Sequence, residues 1–149
     1  MHIASKETEM KEKILILTIG LPRSGKSTWA KEQNMPIVSP DSVRLALHGE
    51  PFLRDAEPMV WAIARYMVKA LFLAGHKYVI VDATNTTQKR RDDWEGSEWE
   101  LSGKVFKTSQ ETCIERAKES GTEYLIPIIE SMNEKADFWE LTDDYCCGL

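Results

Sequence analysis

Ile14-Leu15-Ile16-Leu17-Thr18-Ile19-Gly20-Leu21-Pro22-Arg23-Ser24-Gly25-Lys26-Ser27-Thr28 is the stretch from which the rest of this chain can be read. Its first half is a short apolar run rich in isoleucine and leucine, the composition of a strand buried in a parallel sheet. Gly20 to Ser27 then matches the pattern G-x-x-x-x-G-K-[ST] at every position. A loop of this kind turns backbone N–H groups toward an anion, and its glycines supply conformations that most side chains forbid. Lys26 is placed to reach the outer phosphates and the Ser27 hydroxyl to ligate magnesium. Trp29-Ala30-Lys31 continues as a helix whose positive end faces the same phosphates. A glycine-bearing surface turn is the bland alternative, but it explains neither the strand before nor the helix after. The expected ligand is a nucleoside triphosphate, held by Gly20, Leu21, Pro22, Arg23, Ser24, Gly25, Lys26, Ser27 and Thr28.

The bulk properties narrow the class. A chain of 149 residues with 42% hydrophobic and 29% charged residues is long enough for a core without metal or disulfide support. We expect one domain over residues 13–149 after a polar lead-in over 1–12. A net charge of −5 provides no overall basic field, which argues against a protein that coats nucleic acid nonspecifically. Cys113, Cys146 and Cys147 have no metal-ligand spacing and no disulfide framework, so a reducing, cytoplasmic setting is expected. No apolar run approaches the length of a membrane span.

Outward from the loop, Met35-Pro36-Ile37-Val38-Ser39 reads as a second strand. Ser39 then serves as N-cap and Pro40 as first residue of a helix that stops near Gly49. A linker over Glu50–Arg54 leads to a long helix with Asp55 as candidate cap. Its core face is Val60, Ile63, Ala64, Met67, Val68, Leu71 and Phe72, and Gly75 ends it. Tyr78–Val81 is the third strand and delivers Asp82-Ala83-Thr84-Asn85 at its carboxyl end. A helix over Gln88–Trp94, a strand within Glu100–Lys107, a helix over Gln110–Glu119 and a closing helix from Pro127 toward Trp139 complete the chain. Alternation of strand and helix predicts a three-layer α/β fold, with a parallel sheet of four to five strands flanked by helices.

Parallel sheets present ligands at the carboxyl ends of their strands. Besides the phosphate loop, two such ends carry reactive side chains. Asp41 follows the second strand and suits a general base that takes the proton of an attacking hydroxyl, while Arg44 on the same helix face suits an acceptor phosphate. A helix-dipole carboxylate with an ion-paired arginine is the structural alternative for this pair. Asp82 ends the third strand as a candidate magnesium ligand beside Ser27, with Thr84 and Asn85 as neutral donors for substrate. Arg90 and Arg91 cannot share a helix face, so at most one is expected to face the site and the other solvent. Arg116, before a glycine-containing loop, is a candidate lid cation over the triphosphate.

Gly20-Leu21-Pro22-Arg23-Ser24-Gly25-Lys26-Ser27-Thr28-Trp29-Ala30 resembles the kinase domain of bacteriophage-type polynucleotide 5′-kinase, a P-loop kinase. So do Ser39-Pro40-Asp41-Ser42-Val43-Arg44, Ala83-Thr84-Asn85 with Arg90-Arg91 and Trp94, and Arg116 with Gly121-Thr122 and Pro127. The resemblance implies ATP and magnesium at Lys26 and Ser27, Asp41 acting on a 5′-hydroxyl, and Arg44 on a phosphate of the acceptor strand. Two positions depart from the family pattern. The acidic residue stands one place early, at Asp82, which on a strand would turn it to the other face. Ser120 replaces a second lid arginine.

The reading that follows is an ATP-dependent phosphotransferase acting on the 5′-hydroxyl end of DNA or RNA, with Lys26, Asp41 and Arg116 as the catalytic residues. The same chemistry on a small hydroxyl-bearing acceptor, such as a nucleoside or nucleotide sugar, is the first alternative. A nucleotide-binding switch that transfers nothing is the second.

Overall fold

The computed structural model describes residues 12–142 and the backbone of 144–146. The lead-in expected over 1–12 lies outside the described residues except for Glu12, as does Cys147. Five strands form one sheet: β1 (Ile14–Ile19), β2 (Ile37–Val38), β3 (Tyr78–Val81), β4 (Glu100–Val105) and β5 (Asp144–Cys146). Their spatial order is β2-β3-β1-β4-β5. The first four run parallel, as the alternating pattern requires, and β5 runs antiparallel to β4. That last strand was not anticipated, because a three-residue pairing carries no periodic signal.

Among the described residues, six helices connect and flank the strands: α1 (Lys26–Glu32), α2 (Pro40–His48), α3 (Glu57–Leu73), α4 (Gln88–Asp92), α5 (Gln110–Glu119) and α6 (Ile126–Lys135). Among the described residues, none is long and apolar enough to cross a membrane. The local signals for α2 hold throughout. Ser39 Oγ accepts the Ser42 N–H at 3.2 Å, Pro40 opens the helix, and Gly49 closes it at φ 72°.

Register places Leu15 beside Val79 and Leu101, and Leu17 beside Val81, so these side chains line one face of the sheet. Together with Ile19 and Val105 they meet Ala64, Val68 and Phe72 of α3, Cys113 and Ala117 of α5, and Ile129 of α6 in one buried cluster.

Several expected boundaries shift. β2 shrinks to two residues, and Asp55 lies within a short 3-10 turn (Arg54–Ala56) instead of capping α3. Val60, Ala64, Val68 and Phe72 are the buried residues of α3, while Met67 is 40% exposed, so the core stripe is narrower than the hydrophobic pattern suggests. α4 ends two residues early. α6 stops at Lys135, where Ala136 turns extended, and Phe138 reaches the core as an irregular segment, fully buried.

Candidate active site

The end of β1 is fastened on both sides before the chain turns. The Gly20 N–H donates to the Thr84 carbonyl at 2.9 Å, and the Phe106 N–H donates to the Ile19 carbonyl at 2.7 Å. At Gly20 a Cβ would lie 2.7 Å from Ser24 Oγ and 3.0 Å from the Phe106 carbonyl oxygen, so only glycine fits this crossing. Gly25 sits at φ 104° immediately before α1, a left-handed conformation that reverses the loop into the helix. Thr108 Oγ1 donates to the Ser24 carbonyl at 3.0 Å and ties the far side of the loop to the segment after β4.

Lys26 is almost fully buried within this loop. Its ammonium donates to the Leu21 carbonyl at 2.6 Å and to Ser24 Oγ at 3.3 Å. Burial lowers its pKa from 10.5 to about 8, against the opposing pull of nearby anions including Asp82 and Asp41. Asp41 and Asp82 follow β2 and β3, parallel neighbours in the order β2-β3-β1, so both stand at the edge of the sheet that carries the loop.

Ser27 Oγ donates to Asp82 Oδ2 at 2.8 Å. The one-place offset of the acidic residue therefore does not turn it away from the loop: Asp82 lies just past the last residue of β3, where strand alternation no longer dictates direction. The pair is a good fit for magnesium, which takes oxygen donors and typically uses one or two protein ligands plus phosphates and water. No cluster of three or more His, Cys, Asp or Glu side chains suited to a metal occurs among the described residues.

Asp41 stands in the first turn of α2 with its side chain 82% exposed. Arg44 Nη1 donates to Asp41 Oδ1 at 2.6 Å, while its Nε and Nη2 donate to the two oxygens of Glu57 at 2.8 and 2.7 Å. The Glu57 hydrogen bonds raise the Arg44 pKa, and reciprocally the Arg44 hydrogen bonds hold the Glu57 carboxyl below its usual range. Arg116 approaches from α5 and donates to the Arg23 carbonyl at 3.2 Å, which brings it against the phosphate loop. Ser120 bonds only local groups, the Ala117 carbonyl and the Thr122 hydroxyl, and supplies no charge.

With the loop, the Ser27–Asp82 pair and the adjoining acid in place, comparison with known proteins is informative. A family model described as "AAA domain" matches residues 15–124. The chain belongs to this AAA domain family. A solved chain of a Pnkp1/Rnl/Hen1 complex is 28% identical with a TM-score of 0.63, covering 70% of this chain and 38% of that one. A second, from the Pnkp1/Rnl/Hen1 RNA repair complex, has a TM-score of 0.65 at 23% identity, covering 90% of this chain and 48% of that one. A gluconokinase from Sinorhizobium meliloti 1021 shares the fold at 18% identity and a TM-score of 0.60, covering 89% of this chain and 81% of that one. The chain thus spans less than half the length of the two complex components it matches. The fold is that of a P-loop kinase, and the resemblance to polynucleotide-kinase-type domains read from the sequence stands.

Not every residue expected at the site of this AAA domain is presented there. Thr84 contributes its carbonyl to Gly20, as above. Asn85 is corrected: it is 1% exposed, its φ is 45°, and its side-chain nitrogen donates to the Thr18 carbonyl at 2.9 Å. It joins the ends of β1 and β3 and offers no donor to a substrate. Of the paired arginines, Arg91 is buried, bonding the Asn85 carbonyl at 3.0 Å and Asp137 at 2.7 Å, while the Arg90 side chain is part-exposed and lies over Trp61 with its guanidinium carbon 4.0 Å from the ring centroid. Thr18, Glu57 and Thr108 were missed. Thr18 Oγ1 donates to the Ala83 carbonyl at 2.7 Å and steadies the chain that carries Asp82. A lone threonine in an apolar strand is the one signal that could have found it.

Proposed function

We propose that this protein is an ATP-dependent phosphotransferase that moves the γ-phosphoryl group to the 5′-hydroxyl of a polynucleotide. The observation that carries the reading is the sheet order: β2, β3 and β1 are parallel neighbours, so Asp41, three residues past β2, stands at the same edge of the sheet as the phosphate loop. A protein that only bound or hydrolysed the nucleotide has no need of an exposed carboxylate and a charged partner at the second strand end.

In this reading the loop amides and Lys26 hold the triphosphate. The Lys26 ammonium exchanges the Leu21 carbonyl and Ser24 hydroxyl for phosphate oxygens, so charge on the transferring group meets a donor already in place. Ser27 and Asp82 would hold magnesium, which supplies neutralisation of phosphate charge when bound. Asp41 accepts the proton of the acceptor hydroxyl as its oxygen bonds to the γ-phosphorus. The bond from that phosphorus to the bridging oxygen breaks, and its electron pair leaves with ADP. Arg116 stabilises charge from the open side of the loop, and Arg44 orients Asp41 through their hydrogen bond.

Transfer of labelled phosphate from ATP to a 5′-hydroxyl oligonucleotide tests the proposal. Asp41→Asn is expected to lower kcat roughly 10²–10⁴-fold with nucleotide binding intact. Full activity in that variant, or no transfer by the wild type, would falsify the assignment.

One observation favours the small-acceptor alternative. Arg44 is already held by two carboxylates, which leaves less positive charge to retain an acceptor phosphate. A panel of nucleosides, sugars and nucleotide sugars in the same assay separates the two: better turnover of a neutral acceptor than of any oligonucleotide selects the alternative.

A further inference from the structure

Arg44 touches more than carboxylates. Its guanidinium carbon lies 5.7 Å from the centroid of the Trp61 ring, over which Arg90 also stacks. Beyond Trp61 lies a shallow cavity of about 260 Å³ lined by Trp61, Ala62, Arg65, Arg90, Asp93 and Trp94. That volume is below the roughly 300–1,000 Å³ of sites for drug-sized ligands and suits a single flat ring system.

The chemistry of the lining is specific. Trp61 is part-exposed and meets the buried Trp94 edge-on, with ring centroids 6.1 Å apart. Arg65 closes the other rim, its guanidinium 5.8 Å from the Trp94 centroid. Its hydrogen bonds are to the main-chain carbonyls of Asp93 and Glu95, so no carboxylate cancels its charge in an ion pair among the described residues. Arg90 has one carboxylate partner, Asp93 at 3.5 Å, an exposed and weak pair. The Trp94 indole N–H is buried without a hydrogen-bond partner among the described residues. Aromatic faces alternating with guanidinium groups along an open groove is how single-stranded nucleic acid is held: bases stack on rings and on arginine planes, and arginines meet phosphates. The groove begins one side chain away from Asp41, because Arg44 contacts both Asp41 and Trp61.

We propose that Trp61, Arg90 and Arg65 form a second acceptor subsite, taking the base and phosphate of the nucleotide that follows the one presented to Asp41. The proposal rests on the polynucleotide reading of the site given above. It makes the protein select strands over mononucleotides through contacts remote from the reacting hydroxyl.

The test compares phosphate transfer from ATP to a nucleoside 3′-monophosphate and to a 5′-hydroxyl trinucleotide with the same first base. The wild type and the Arg90→Gln and Trp61→Ala variants are assayed, with thermal melting to verify folding. The wild type is expected to favour the trinucleotide in kcat/KM. Each variant is expected to reduce that preference about tenfold, mainly through KM, as loss of one stacked base would. Arg90→Gln should also lower the slope of log KM against log salt by about 0.7, the signature of one lost contact to a single strand's phosphate. An undiminished preference in folded Arg90→Gln overturns the subsite, and that variant decides the matter if Trp61→Ala does not fold. Equal wild-type use of both acceptors overturns the subsite while leaving the 5′-kinase reading intact. Transfer to neither acceptor overturns the reading itself.

Discussion

Lys26 has two jobs that pull against each other: it is buried inside the loop away from water, yet it must present a charge to phosphates. Its pKa of about 8 in the free protein records that conflict, since desolvation disfavours the ammonium. Bound phosphates favour the charged form, so binding above pH 8 draws in a proton. ATP affinity is expected to weaken as pH rises through 8, with calorimetry in buffers of different ionisation enthalpy reporting the proton taken up. The sign for folding is opposite. The unfolded lysine keeps its proton up to 10.5, so between about 8 and 10.5 the unfolded chain holds more protons and this residue adds stability as pH rises. Glu57 is the second decisive side chain. Glu57→Ala removes two charge-assisted bonds from a guanidinium that is only 13% exposed, with an expected loss of about 1.5–3 kcal/mol in chemical denaturation. The depressed carboxyl pKa means that this contribution is present above the unfolded value of 4.5 and disappears as pH falls through the lower folded value.

Elements were legible in the sequence where their signals are local. The phosphate loop and the Ser39-Pro40 start of α2 rest on neighbours within a few residues, and α5 ran from Gln110 to Glu119 as read. What could not be read depends on partners distant in the chain. Glu57 meets Arg44 across 13 residues, Arg91 meets Asp137 across 46, and Asn85 is recruited by a carbonyl 67 residues away. A pattern of residue types carries no record of such meetings. The same holds for the segment after α6, where the expected helix toward Trp139 gives way to an extended turn that inserts Phe138 into the core and stacks it against Trp139 with centroids 4.4 Å apart. Because that ring is fully buried, Phe138→Ala is expected to cost about 3–5 kcal/mol, measured by urea unfolding, although the segment has no regular structure to lose.

For the molecule as a whole, the site is assembled from the ends of β1, β2 and β3, so its occupant is linked to the stability of the entire sheet. A nucleotide at 100 times its dissociation constant stabilises the folded state by about 2.7 kcal/mol. For a chain of 149 residues each kcal/mol raises Tm by roughly 2–4 °C. ATP with magnesium is expected to raise Tm by about 5–10 °C in a thermal melt, and chelation by EDTA to remove a large part of that shift if Ser27 and Asp82 hold the ion. Sheet borders are the other property of this size. One border is β2, only two residues long, and the other is β5, three residues long and antiparallel to β4. Unpaired strand edges are where separate protein molecules add to one another and begin to grow into aggregates. Here a foreign strand meets borders of two and three residues, too short to template it, so crowding is resisted by how the sheet is finished rather than by how strongly its surface is charged.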